Sequence, residues 1–191
     1  MECDWHEWCH VVSVRVMPDF QFHLLQASEL NLALNWLKKP HVTKWFHGEG
    51  LQNTIAGLQR IVDGQDHHFD AWVATLDDHS FALVMSYKLT EKDRQAPNCP
   101  QGKWMAPGKT YAGLDLFIGE ESFLGKGLAS SLISTFIQRN FPYTDSIFID
   151  PEKENKLAIH VYEKVGFKVI DEFIAPWNPV PHVLMQFKSS I

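Results

Sequence analysis

Apolar residues follow two different spacings along this chain, and the two spacings alternate. Compact apolar runs bounded by turn residues are typical of β-strands. Such runs occupy residues 20–25, 69–76, 80–89, 111–119, 146–150, 167–173 and 182–187. The second and third runs are separated only by Asp77, Asp78 and His79, which indicates a β-hairpin.

Between these runs, apolar residues recur every three or four positions, as they do on one face of an α-helix. Leu30, Leu34 and Leu37 follow Ser28, which can cap a helix, and Pro40 cannot continue that helix. The same spacing predicts helices over residues 51–62, from residue 128 past Phe136, and over residues 155–166. Strands and helices that alternate in this way predict an α/β fold.

Residues 90–110 interrupt this order with three prolines and two glycines. Connections this long without regular structure are uncommon inside a compact domain, and those that are ordered tend to be functional. We therefore expect a functional loop before the fourth strand.

Gly125, Lys126 and Gly127 stand between that strand and the next helix. Glycine lets the backbone approach a ligand closely, and the first N–H groups of a helix have no partner within it. The turn therefore suits an anion, although a tight turn with close packing is the structural alternative. It lacks both the G-x-x-x-x-G-K-[ST] pattern of the P-loop and the third glycine of the dinucleotide fingerprint.

Composition narrows the class of protein. The chain has 191 residues and a hydrophobic share of 45%, which suits one globular domain with a real core. Its net charge of −6 disfavours nucleic acid as a partner and favours cationic ones. There is no apolar run of the ~18 residues that a membrane span needs, and the N-terminus lacks the pattern of a signal peptide. Three cysteines are too few for a disulfide framework, so we expect a cytoplasmic protein.

The glycine turn and the second half of the chain together resemble the GNAT acetyltransferase superfamily. The matching residues are Gly125, Gly127, Asn155, Tyr162, Gly166 and Phe167, while Ser122 stands where the family usually has Arg or Gln. The resemblance implies a GNAT domain over residues 17–191 that follows a tail of residues 1–16. It also implies a mixed central sheet of about six to seven strands flanked by helices, in which splayed parallel strands bind acetyl-CoA.

The resemblance assigns the acetyl-CoA contacts to particular residues. The cofactor pyrophosphate would meet the backbone amides of Leu124, Gly125, Lys126, Gly127, Leu128 and Ala129. The pantetheine arm would pair with the splayed strand at Leu116, Phe117 and Ile118. Asn155 would hydrogen-bond the arm, although the same residue at a helix start is equally typical of a plain cap.

Acetyl transfer to an amine makes two chemical demands. The amine must lose a proton before it attacks, and the thiolate leaves more readily when it is protonated. By family position Tyr162 would be the acid, and a packed helix tyrosine is the structural alternative.

A narrower resemblance concerns the acceptor. The segments "LNWLKKPHVTKWFHGEG" and "GLDLFIGEESFLGKGL" are similar to segments of the aminoglycoside 6′-N-acetyltransferases. The similarity implies that Asp115 and Asp150 receive a polycationic small-molecule amine, with Asp115 also acting as the base. Trp45, Tyr87 and Trp104 would form aromatic walls, which suit ammonium groups. A solvent-facing Asp115 and a core Trp45 are the alternatives.

Two other functions stay open. Siderophore-biosynthetic acetyltransferases, which acylate a hydroxylysine-type amine, carry the same W-L-x-x-x-H segment, and a degenerate domain could bind acetyl-CoA without catalysis. Cys3, His6, Cys9 and His10 have metal-compatible spacings that are tight for one tetrahedral site, so we predict no metal. We expect a monomer or homodimer without a membrane partner.

Overall fold

The computed structural model describes residues 18–65, 68–175 and 178–189, and one mixed sheet of seven strands runs through these ranges. The strands are β1 (Gln21–Leu24), β2 (Asp70–Leu76), β3 (His79–Leu89), β4 (Tyr111–Ile118), β5 (Ser146–Ile149), β6 (Lys168–Ala175) and β7 (Asn178–Lys188). The helices are α1 (Leu30–Trp36), α2 (Pro40–Thr43), α3 (Gly48–Val62), α4 (Glu91–Gln95), α5 (Leu128–Asn140) and α6 (Lys156–Val165). The tail of residues 1–16, with its candidate metal ligands, lies outside the described residues.

The sheet has the strand order β1-β2-β3-β4-β5-β7-β6. Neighbours from β1 to β4 are antiparallel, β4 and β5 are parallel, and β5, β7 and β6 are again antiparallel. The expected α/β class with a mixed sheet flanked by helices is confirmed. Within the described ranges, no helix is both long enough and apolar enough to cross a bilayer.

Two helical layers cover opposite faces of the sheet, because strand side chains alternate between the faces. On one face, Met85 and Phe117 pack with residues of α1 to α3, such as Trp36. On the other face, Leu114 packs with residues of α5 and α6, such as Phe136. Odd-numbered residues of β4 therefore face α1 to α3, and even-numbered residues face α5 and α6.

Local turns confirm some sequence predictions and correct others. Asp77 and Asp78 have φ values of 50° and 60°, as a tight hairpin turn requires. Ser28 is not a helix cap, because it lies inside a 3₁₀ turn, Ala27–Glu29, that precedes α1. Pro40 does more than end the first helix: it opens α2, at a position where a missing N–H is harmless.

Candidate active site

A cleft of about 1340 Å³ lies where β4 and β5 separate. Its walls come from both helical layers, from β3, β4 and β7, and from part of the 90–110 segment. The predicted site residues that line it are Trp45, Tyr87, Asp115, Leu116, Phe117, Ile118, Leu124, Gly125, Ala129, Asp150, Asn155 and Tyr162. Residues predicted from distant parts of the sequence therefore meet in one place.

The separation of β4 from β5 is built into the sheet register. Only residues 111–113 of β4 pair with β5, whereas β4 stays paired with β3 as far as Ile118. Residues 114–118 therefore have a strand neighbour on one side only. An extended ligand can pair with such an edge through main-chain hydrogen bonds.

The far end of β4 is held in place by the segment around α1 and α2. The Trp36 ring lies so close to Gly119 that a Cβ there would be 2.2 Å from it. The Trp36 indole N–H donates to Glu120 at 2.6 Å, and Nε2 of His41 lies 2.9 Å from the backbone oxygen of Ile118. The W-L-x-x-x-H pattern thus fixes the strand that carries Asp115.

The glycine turn leaves space for a ligand. Gly125 and Gly127 have φ values of +69° and +70°, and a Cβ at either position would meet nothing within 4 Å. Gly127 is the N-cap of α5 and has no side chain to accept the first helical N–H groups. An anion could take that role. The exposed Lys126 does not line the cleft, and its Nζ lies 5.2 Å from the ring of Phe123.

Asp115 and Asp150 flank the opening on the same face of the sheet. Asp115 lies two residues beyond Gly113 and Asp150 two beyond Phe148, and Gly113 and Phe148 are register partners. Because side chains alternate between the two faces of a sheet, Asp115 and Asp150 share the face of Gly113 and Phe148, which is the α1–α3 face. Each carboxyl group keeps part of its surface open to the cleft and is otherwise enclosed by protein.

This enclosure changes the acidity of both carboxyl groups. Burial raises the pKa of Asp115 to about 6. Burial, and then the charge of Asp115, raise the pKa of Asp150 well above its ordinary value. A cation between the two carboxyl groups would favour their ionised forms and relieve their repulsion.

Tyr87 lies beside this pair because Gly113 has no side chain. A Cβ at Gly113 would stand 2.1 Å from the Tyr87 ring, so the ring lies directly over the glycine. Burial, and then the charges of Asp115 and Asp150, raise the pKa of Tyr87 well above its ordinary value, which keeps its hydroxyl neutral. Sequence reasoning found Tyr87 but missed Gly113, since the contact joins two strands.

Tyr162 approaches from α6, on the opposite helical layer, and is 8% exposed. Its backbone oxygen accepts from the N–H of Phe167 at 3.0 Å, while the N–H of Gly166 donates to the backbone oxygen of Glu163 at 3.0 Å. Gly166 has a φ of +109°, and the rings of Tyr162 and Phe167 are 6.0 Å apart. The Tyr-x-x-x-Gly-Phe unit is thus a helix terminator that fixes the tyrosine. Burial, and then the charges of Asp115 and Asp150, raise the pKa of Tyr162 above its ordinary value, so the phenol stays protonated.

Asn155 caps α6, because its Oδ1 accepts from the N–H of Ala158 at 3.2 Å. The capping alternative is therefore present in the structure. Asn155 also lines the cleft, so capping and a cofactor contact are compatible.

Trp104 is the predicted aromatic wall that the structure places elsewhere. A 3₁₀ turn, Gly102–Trp104, directs its indole toward β6, where its N–H donates to Asp171 at 3.4 Å. It is 40% exposed and does not line the cleft. The 90–110 segment instead lines the cleft with residues that include Cys99, whose thiol donates to Gln101 Oε1 at 3.2 Å. The prolines of the segment led us to expect a functional loop, but no sequence signal predicted that the thiol of Cys99 would line the cleft.

Comparison with known proteins identifies the family. Residues 26–175 match the model of the acetyltransferase (GNAT) domain. This chain belongs to the GNAT acetyltransferase family. As a GNAT acetyltransferase it is an acyltransferase whose co-substrate is acetyl-CoA.

Three similar proteins cover most of this acetyltransferase. The aminoglycoside N(6′)-acetyltransferase type 1 of Klebsiella pneumoniae is 27% identical over 170 residues, which cover 84% of this chain and 80% of the relative. The crystal structure of an aminoglycoside N(6′)-acetyltransferase from Legionella pneumophila is 34% identical with a TM-score of 0.77, over 88% of this chain and 91% of that one. The aminoglycoside acetyltransferase AAC(6′)-Ib, in complex with ribostamycin and coenzyme A, is 25% identical with a TM-score of 0.70, over 89% and 93%.

The open parts of this site fit acetyl-CoA. The amides at the start of α5 have room for phosphate oxygens, and residues 114–118 present a backbone edge for an amide-containing arm. Both features are made of backbone. The unusual Ser122 does not disturb them, since it lies exposed in the 3₁₀ turn Glu121–Phe123.

Proposed function

We propose that this GNAT acetyltransferase transfers the acetyl group of acetyl-CoA to a primary amine of a polycationic amino sugar, the 6′-amine of an aminoglycoside. The observation that carries the proposal is the carboxyl pair of Asp115 and Asp150, which faces one side of the opening while Tyr162 faces the other. The aminoglycoside acetyltransferases among its relatives support the same acceptor class.

The carboxyl pair would bind and deprotonate the amine. An ammonium group between Asp115 and Asp150 favours their ionised forms, so binding of the substrate lowers the pKa values that burial raises. Asp115 then holds the ammonium group at the opening and accepts its proton directly or through water. Asp150 keeps the substrate oriented by charge.

Tyr162 would stabilise the departing thiolate. Acetyl-CoA, when bound, supplies an activated acyl thioester. The thiol of coenzyme A has an ordinary pKa of ~8.5, below that of a phenol, so the buried phenol keeps its proton and donates a hydrogen bond to the leaving sulfur. As the new C–N bond forms and the C–S bond breaks, the sulfur takes up the second proton that the amine loses. The amides of residues 124–129, the edge of β4 at Leu116, Phe117 and Ile118, and Asn155 would hold the rest of the cofactor.

The test compares three amines with purified protein and acetyl-CoA. We expect kcat/KM for kanamycin to exceed that for N6-hydroxylysine and for spermidine at least tenfold, or about 1.4 kcal/mol, with NMR locating the new acetyl group on the 6′-nitrogen. Preference for N6-hydroxylysine would replace the proposal by the siderophore-type reaction. Binding of coenzyme A without turnover of any of these amines would contradict the proposal and favour a domain that binds acetyl-CoA without catalysis.

A further inference from the structure

Glu152 lies in the wall of the same cleft, in the loop between β5 and α6, and is held through one carboxylate oxygen. Nδ2 of Asn178 donates to Oε1 at 2.9 Å, and Nε2 of His47 lies 2.8 Å from the same oxygen. Backbone hydrogen bonds and a β-bridge fix this loop to β7 on both sides of Glu152. The carboxylate therefore has a defined position.

The two partners of Glu152 differ in kind. Asn178 is neutral and 7% exposed, and it belongs to the same wall of the cleft. His47 comes from the opposite wall, where it precedes α3, and its side chain is 39% exposed. Asn178 is thus a fixed orienting group, whereas His47 is a partner that solvent or a ligand can reach and replace.

The charge of Glu152 lacks a permanent partner. Its side chain is only 12% exposed, and an enclosed carboxylate is costly unless a cation or several donors compensate it. An ammonium group of a ligand brings both a positive charge and N–H donors to this oxygen, and we expect it to replace the half-exposed ring.

We propose that Glu152 is a specificity-determining residue of the acceptor site, which binds a second ammonium group of the acceptor and gives up His47 in exchange. The inference rests on the proposed function, in which Asp115 and Asp150 receive the reacting amine. Glu152 follows Asp150 by two residues along the wall, so it meets a different part of the same substrate. The site would then select acceptors that carry at least two ammonium groups.

The experiment uses Glu152→Gln, which keeps the shape and removes the charge. Glu172→Gln is the matched control, because Glu172 pairs with Lys153 at 2.6 Å and does not line the cleft. Acceptors are kanamycin and methyl 6-amino-6-deoxyglucopyranoside, a sugar with one amine. We expect Glu152→Gln to raise KM for kanamycin at least tenfold with little change in kcat. The single-amine sugar should respond less than twofold, and Glu172→Gln should change neither acceptor.

A second variant separates recognition from a purely structural ion pair. His47→Gln removes the competing ring but leaves the carboxylate, so KM for kanamycin should stay constant or fall. A rise in KM with His47→Gln as large as that with Glu152→Gln would show that the pair only supports the fold. If Glu152→Gln fails to fold, His47→Gln decides alone: a constant or lower KM for kanamycin supports the proposal, and a rise of tenfold or more overturns it.

The outcomes distinguish this inference from the proposed function. Wild-type protein that acetylates neither acceptor would contradict the proposed function. Wild-type protein that acetylates kanamycin, together with a Glu152→Gln variant of unchanged KM, would overturn only the role of Glu152. Should the single-amine sugar react too slowly to measure, calorimetric Kd values for kanamycin in the presence of coenzyme A replace the KM comparison, with the same tenfold expectation.

Discussion

One side of the cleft is formed mainly by backbone groups and the other mainly by side chains. The glycine turn before α5 and the free edge of β4 offer backbone groups, which depend on residue type only where glycine is needed. The proposed acceptor side offers side chains from segments far apart in sequence, among them Trp45, Tyr87, Asp115 and Asp150. A backbone site keeps its ligand while most side chains vary, whereas a side-chain site can change its ligand through single substitutions.

Tyr162 stands on the boundary between these two sides, and its loss should have the largest effect. Tyr162→Phe keeps the ring and its packing against Phe167, so only the hydrogen bond proposed for the leaving sulfur is lost. We expect kcat to fall roughly 10²-fold with little change in KM for acetyl-CoA, measured by steady-state kinetics. Tyr111→Phe is the control, because this buried tyrosine accepts from the N–H of Ala106 outside the cleft. A Tyr162→Phe variant with native kcat would show that the leaving sulfur needs no hydrogen bond from this phenol.

Coenzyme A binding at the glycine turn should depend on the charge of a substituted side chain more than on its size. Gly127→Asp and Gly127→Asn place side chains of similar size on the same left-handed residue, where both residue types are tolerated better than most. We expect the aspartate to weaken coenzyme A binding well over tenfold, about 1.4 kcal/mol or more, and the asparagine to weaken it much less. Calorimetry measures both. Equal losses in the two variants would point to strain instead of an anion site.

The acceptor side should lose affinity while the cofactor side is unaffected. Asp115→Asn keeps the shape of the side chain and removes its charge and basicity. We expect kcat/KM for kanamycin to fall at least tenfold, with the Kd of coenzyme A unchanged. Salt should raise the wild-type KM and change that of the variant much less, because charges are screened by ions. If the variant matches wild type, Asp115 is a bystander.

The same substitution should stabilise the protein, because the buried charge of Asp115 is unfavourable in the folded state. The folded-state pKa of Asp115 is about 6, above its unfolded value, so the folded state binds the proton more tightly. The stability this provides is fully present below the unfolded pKa, near 3.9, and is lost as pH rises toward about 6. Asp115→Asn should therefore exceed wild type by about 3 kcal/mol in unfolding free energy at pH 7.5, and the difference should shrink at pH 4. Thermal melts at the two pH values check it. A variant that is less stable at both would contradict the burial of that charge.

The difference between the two sides also explains what could be read from the sequence. The glycine turn and the Tyr-x-x-x-Gly-Phe unit are local signals, in which a few neighbouring residues determine the backbone. The proposed acceptor side depends on contacts between distant segments, such as Tyr87 over Gly113, or His47 with Glu152. Hydrophobic spacing carries no record of such contacts.

Trp104 shows the same limit, because here the sequence predicted a position in the cleft that the structure does not have. Its residue type suits an aromatic wall, but a 3₁₀ turn of three residues decides where the indole lies. Short turns of this kind give almost no periodic signal. The seven strands were readable because each contains a compact apolar run, and their order became evident only from the pairing.

The narrow contact between β4 and β5 has a further consequence for motion. Within the described residues, strand pairing between the antiparallel group β1 to β4 and the group of β5, β7 and β6 is confined to residues 111–113 of β4 and their partners on β5. A ligand that pairs with residues 114–118 extends this contact, so it acts as a temporary eighth strand. Amide hydrogens along that edge should exchange slowly with solvent only while the ligand is bound, and the two groups of strands should then unfold as one cooperative unit.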